Sequence, residues 1–230
     1  MAHTTDGTGE RGEAAVASPP RPEQMGTFHA FRYRNYQLLW LGDLATAAGM
    51  WIQQTVMGWV VYDLTGSGGV LGAINLMRSV PILLFSPAAG AATDRMRQNR
   101  IIAVSQFCMF VLTFLIAFDI RFGFIQVWHL FVFVFLMATA QTFNLPARQT
   151  FVFLLVPRAV IPNAVALTWF AFSLARSIGP AVGGALIVAF GPANNFFLQG
   201  IAFLCVMATV LTIRVDDRPK AANRKPFLES

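Results

Sequence analysis

Six long apolar stretches dominate this chain and fix what it can become. They run over residues 36–62, 69–92, 101–120, 127–146, 162–190 and 196–213. Each reaches or approaches the ~20 residues that carry a helix across ~30 Å of hydrocarbon. Lipid offers the backbone no water to bond, so only helices or closed barrels span it. Barrel strands are shorter and alternate in polarity, and these stretches do not alternate. The sequence therefore predicts an all-α, polytopic membrane protein with six transmembrane helices. Turn-rich or charged connectors separate the stretches, at Asp63 to Gly68, Asp94 to Arg100, Asp119 to Phe124 and Gly191 to Asn195.

Composition agrees with a lipid solvent. Hydrophobic residues make up 56% of the 230 and charged residues only 12%, against ~25% charged in an average soluble domain. Soluble, disordered, collagen-like and disulfide-scaffold classes are excluded. The net charge of +6 would suggest nucleic acid in a soluble chain, but the positions of the charges say otherwise. With the ends of the stretches assigned to alternate sides, 14 of the 17 Lys and Arg fall on the side of the N-terminus. They lie in the N-terminal arm, in the second and fourth connectors (Arg148 and Arg158 in the fourth) and in the tail. Arg121 alone lies opposite, and Arg78 and Arg176 lie within spans. Basic residues gather in cytoplasmic loops. Both termini are thus expected in the cytoplasm, and no nucleic-acid partner is needed to explain the charge. Residues 1–24 read as a disordered cytoplasmic arm with no signal-peptide core. Residues 25–214 form the transmembrane domain, and 215–230 begin a basic linker. Cys108 and Cys205 sit in apolar stretches and read as small packing residues.

Polar residues inside the spans are the candidates for function. A charge at mid-membrane costs from ~2.5 kcal/mol upward and normally faces protein or water. Asp43, Arg78, Gln141, Asn144 and Arg176 are therefore candidates for a substrate or ion pathway, with Gln53, Gln54 and Asn75 nearby in sequence. Structural roles stand beside each. Asp43 would serve as partner to Arg176, Arg78 could snorkel from its span, and Gln141 and Asn144 could cross-link helices. Gly90 and Asp94, four residues apart, share a helix face, and Gly90 would permit close approach of a neighbouring helix. Asp94 is the lone acid among the arginines of the inner connectors, which suggests a charge latch with Arg95, Arg100 and Arg148.

At this point the sequence resembles a family. The stretch Gly90-Ala-Ala-Thr-Asp94-Arg95, followed by basic residues between the second and third spans, resembles the loop signature of the major facilitator superfamily. It departs from that signature at Arg97, where a second Gly is usual. Pro146-Ala147-Arg148-Gln149, Leu155-Val156-Pro157 and Asn163-Ala164-Val165-Ala166 are similar to the bacterial branch that includes enterobactin exporters and macrolide efflux proteins. So is the opening Phe31-Arg32-x-Arg34-Asn35-Tyr36-x-Leu-Leu-Trp40. Gly179-Pro180-Ala-Val-Gly183-Gly184 resembles the span-five motif of antiporters in that superfamily. The resemblance covers about residues 28 to 214.

The resemblance implies a twelve-helix fold in two six-helix halves, each a three-plus-three inverted repeat, with the substrate path between the halves. This chain would be the N-terminal half, and a truncated gene product is the simplest expectation. Its partners would be lipid, a small-molecule substrate, and the missing C-terminal half or a second copy. Pro81 and Pro87 in span two and Gly179-Pro180 in span five fall in corresponding helices, where interruptions point towards a moving seam. The implied function is secondary active export of a small organic molecule such as a drug or siderophore, across a bacterial inner membrane, with uptake or a non-transporting interaction role as alternatives. Enzyme readings find no metal-ligand spacing, phosphate loop or nucleophile with a base. No cofactor is expected, and an ion gradient would supply the energy.

Overall fold

The structure, a computed structural model, describes residues 29–212. The expected arm at 1–24 and basic linker at 215–230 lie outside the described residues. All regular structure among the described residues is helical. A short 3-10 turn, His29–Arg32, leads into α1 (Arg34–Thr65). Then come α2 (Gly68–Arg95), α3 (Gln98–Arg121), α4 (Val127–Leu155) and α5 (Ile161–Thr212). Four stretches are long and apolar enough to cross a membrane: α2, α3, α4 and Arg158–Thr212. The helix α1 has the length but less apolar content, because it carries Asp43, Gln53 and Gln54.

Each helix outruns its apolar stretch, because backbone bonds continue until a residue stops them. Between α1 and α2 only Gly66 and Ser67 are non-helical, and the Ser67 hydroxyl accepts from the Val70 N–H to cap α2. The expected break at Gly191 to Asn195 shrinks to one residue. Gly191 (φ 77°, ψ 166°) divides α5 into two arms, 161–190 and 192–212. That positive φ suits a residue without Cβ. Pro192 then opens the second arm, where a proline's fixed φ and missing N–H cost nothing. Span four is the larger surprise. It was expected to end at Pro146, but α4 runs on through that proline to Leu155.

Packing centres on α1, which lies between the two arms of α5. The first arm runs parallel to it: the Tyr36 hydroxyl donates to the Ala164 carbonyl at 2.8 Å and Trp40 Nε1 to the Leu167 carbonyl at 3.0 Å. Further along, Gly179 and Gly183 face Trp51 and Ile52. The second arm runs antiparallel, with Val206 over Gly42 and Gln199 over Gly49. The remaining helices pair as α2 with α4, and α3 with both α4 and the second arm. Two apolar clusters result. One gathers Tyr36, Leu39, Ile102, Phe151 and Val210, the other Val56, Met109, Leu130, Phe196 and Phe203.

Two sequence expectations need correction here. Cys108 and Cys205 are exposed, not packed inside. A helix in lipid is apolar all round, so an apolar run does not tell its inner stripe from its outer one. Gly90 makes no close helix contact among the described residues, since a Cβ there would meet nothing within 4 Å.

The glycines of the span-five motif separate by the same test. A Cβ on Gly179 would lie 2.5 Å from Cβ of Trp51, next to the α1 backbone, whereas one on Gly184 would meet nothing within 4 Å. Overpacking of this kind costs ~1–3 kcal/mol. Gly179→Ala should therefore lower the thermal midpoint of the purified protein in detergent, followed by size-exclusion recovery, and Gly184→Ala should leave it unchanged or slightly raised. Equal midpoints for the two variants would count against this packing of α1 on α5.

Candidate functional site

A cavity of about 220 Å³ opens between α1, α2 and α4. Met50, Gln53, Gln54 and Met57 of α1 form one wall, Ile74, Asn75 and Arg78 of α2 a second, and Met137 and Gln141 of α4 a third. Helical spacing explains the set: residues three or four apart share a face, which groups Asn75 with Arg78 and Met137 with Gln141. Among the described residues Arg78 is the one charged side chain lining the cavity. Its guanidinium donates to Gln54 Oε1 and to Gln141 Oε1, each at 3.4 Å. Arg78 thus faces a polar space between helices and is joined to Gln141 there.

Asp43 has a different partner from the one its sequence suggested. It forms an ion pair with Arg148, and both side chains are about nine-tenths buried. Arg148 was assigned to a connector, but the extension of α4 past Pro146 carries it inside the bundle. There its Nη2 lies 3.7 Å from where a Cβ on Gly42 would stand, an ordinary van der Waals distance, so the guanidinium packs beside Gly42. Arg148 Nε and Nη2 are buried without a protein hydrogen-bond partner, as is Nδ2 of Asn144 one turn earlier. The pair ties α1 to α4.

Arg176 is exposed on the first arm of α5, its guanidinium 5.3 Å from the centre of the Trp51 ring. This cation–π contact takes the place of the expected pairing with Asp43. The residues expected to form a latch are at the surface: Asp94, Arg95 and Arg100 are exposed, and Asp94 has no ion-pair partner within 4 Å among the described residues. Arg148 is thereby separated from the other latch candidates. In the span-five motif, Gly179 and Gly183 are buried against α1, while Pro180 is exposed.

Two glutamines went unnoticed in the sequence. Gln199 Nε2 donates to the Gly49 carbonyl at 2.9 Å and to Gln53 Oε1 at 2.7 Å, pinning the second arm to α1. Gln106 of α3 is fully buried and donates weakly to Thr46 Oγ1 at 3.5 Å. Their signal was available, since each is a lone amide inside an apolar run.

Long apolar helices around a polar, arginine-bearing cavity define a multi-pass membrane protein. Residues 25–230 match the family model described as transmembrane secretion effector, a major facilitator family, and the chain belongs to that family. It is 27% identical over 179 residues to the staphyloferrin A transporter of Staphylococcus aureus, covering 76% of this chain and 45% of that protein. It is 23% identical over 206 residues to macrolide efflux protein A of Streptococcus pyogenes, covering 86% and 49%. The multidrug efflux pump Tap of Mycolicibacterium fortuitum is 24% identical over 188 residues, covering 78% and 45%. The chain spans about half the length of the curated relatives it matches. The match is to a transporter family, not to an enzyme, and with the apolar helices it makes this a multi-pass bacterial membrane protein in contact with lipid.

The ion pair carries a stability prediction. Removing one partner of a buried pair costs ~3–5 kcal/mol, because the other charge is left uncompensated. Asp43→Asn and Arg148→Gln should each lower the fraction of protein recovered as a single size-exclusion peak after heating. The double variant should recover part of the loss. Strictly additive losses would show that the two side chains do not act as a pair.

Proposed function

We propose that this chain forms six membrane spans, the helical half of a secondary transporter that exports a small organic molecule by alternating access. The carrying observation is the cavity between α1, α2 and α4, where Arg78 and the amides of Gln54 and Gln141 converge inside an apolar bundle. Such a site gives a solute a polar surface at a depth where lipid gives none. Six spans follow if α1 and each arm of α5 cross the membrane separately.

The helix pairing supports a three-plus-three inverted repeat. Exchange of the first three rods with the last three turns the pairing of α1 and the first arm into that of α4 and α2. The same exchange turns the pairing of α3 and α4 into that of the second arm and α1, and both members of each set are present. Both termini lie in the cytoplasm in this reading, by the distribution of Lys and Arg. The second wall of the path is a C-terminal six-helix half or a second copy of this one. Asp43, Asn144 and Arg148 link α1 to α4 beside the path. Arg176 and the Gly179-Pro180 face lie toward the moving seam. Gly90, Asp94, Arg95 and Arg100 act at the cytoplasmic gate. An ion gradient drives the cycle, and the substrates named for the relatives, a siderophore and macrolides, set the size class.

Energised everted vesicles from cells producing the protein should accumulate labelled amphipathic solutes, and an ionophore should abolish that uptake. Accumulation only in right-side-out vesicles would mean import, and no gradient-dependent flux in either orientation would refute the transport reading. Asp94→Asn should reach the membrane at normal level yet lower the flux; unchanged flux would remove Asp94 from the gate.

A further inference from the structure

We propose that the cavity selects organic anions: a ligand carboxylate docks on Arg78 while the rest of the ligand lies on the methionine wall. This names a substrate class for the transport reading above and rests on it. The first argument is charge. Arg78 keeps its proton at any relevant pH, and four acids exist among the described residues: Asp43, Asp63, Asp94 and Asp119. Asp43 is taken by Arg148 and Asp119 pairs with His129. Asp63 and Asp94 are exposed at helix ends. No acid lies within 4 Å of Arg78 among the described residues, so the cavity carries a full positive charge that only neutral amides attend.

The second argument is donor supply. A guanidinium has five N–H donors in a planar fork, and Arg78 commits two of them to long 3.4 Å bonds. Gln54 and Gln141 turn their carbonyl oxygens to Arg78, and Gln53 uses its own to accept from Gln199. The NH2 groups of all three amides therefore remain as donors. A donor-rich site with spare fork geometry matches a carboxylate, which accepts in bidentate fashion, and mismatches an ammonium, which only donates. The third argument is shape. Met50, Met57 and Met137 offer an adaptable apolar surface next to the charge. At about 220 Å³ the cavity is smaller than the ~300–1,000 Å³ of a drug-sized pocket, so it holds the anionic head and not a whole ligand.

The test compares 4-phenylbutyrate, 4-phenylbutanamide and 4-phenylbutylammonium, three probes of one shape and different charge. Each is titrated calorimetrically into the full chain in lipid nanodiscs, with empty nanodiscs subtracted. The carboxylate should bind roughly tenfold or more tightly than the ammonium, as a charge-assisted bond to a half-buried group allows. Arg78→Gln should erase the difference and Arg78→Lys should keep part of it. Equal affinity for the three probes on the unmodified protein overturns the proposal without any variant, and is also the result if an acid from another chain neutralises Arg78. Carboxylate preference with no gradient-driven flux would sink the transport reading and leave the anion site standing. Flux that favours the ammonium would sink the anion site alone.

Discussion

Lipid tails are as apolar as leucine, so hydrophobic burial does little to bring one membrane helix against another. What gathers this bundle is the polar and close-packed surface of α1. Hydrogen bonds from Tyr36 and Trp40 fasten its start to the first arm of α5, and Gln199 fastens its middle to the second. Asp43 holds it to α4 through Arg148. Each contact has a chemical reason to form that the surrounding lipid cannot supply. The helix least apolar by composition thus makes polar contacts with both arms of α5 and with α4.

The same logic separates the two arginines that matter inside the bundle. Arg148 is neutralised by the Asp43 carboxylate, so it reads as a tie between helices. Among the described residues Arg78 has no such acid within 4 Å, and it lines an open space. One cation is neutralised within the bundle and the other faces a cavity. The distinction comes from partners and space, since both are single arginines within long apolar helices.

Fold class was legible because the apolar stretches are long and their breaks carry Gly, Pro and charge. The pairing of Arg78 with Gln141 was partly legible, as each is a polar residue alone in an apolar run. Other features depended on information that a one-dimensional pattern lacks. Pro146 looks like a helix end, yet the helix continues through it, and that one difference moved Arg148 from a surface loop to the interior. Asp43 and Arg176 looked complementary by charge, but the first arm of α5 turns Arg176 onto Trp51. Gly90 and Gly179 are the same residue in two motifs of similar appearance, and only one faces another helix. Composition also hides orientation in a lipid-soluble chain, which is why Cys108 and Cys205 could not be placed inside or out.

Gly191 has a bearing on how such a bundle is assembled. It reverses the chain with a single non-helical residue, and Pro192 starts the next helix at once. A reversal this short leaves no charged loop that must be translocated between the two arms, since Gly191 to Asn195 contains none of Asp, Glu, Lys or Arg. The arms are thus suited to enter the bilayer as one hairpin. That hairpin is the cleft into which α1, made well over a hundred residues earlier, must be received. Tyr36, Trp40 and Gln53 of α1 therefore meet their hydrogen-bond partners only once this hairpin has been made, whereas Asp43 and Gln54 find theirs on α4 and α2 before it.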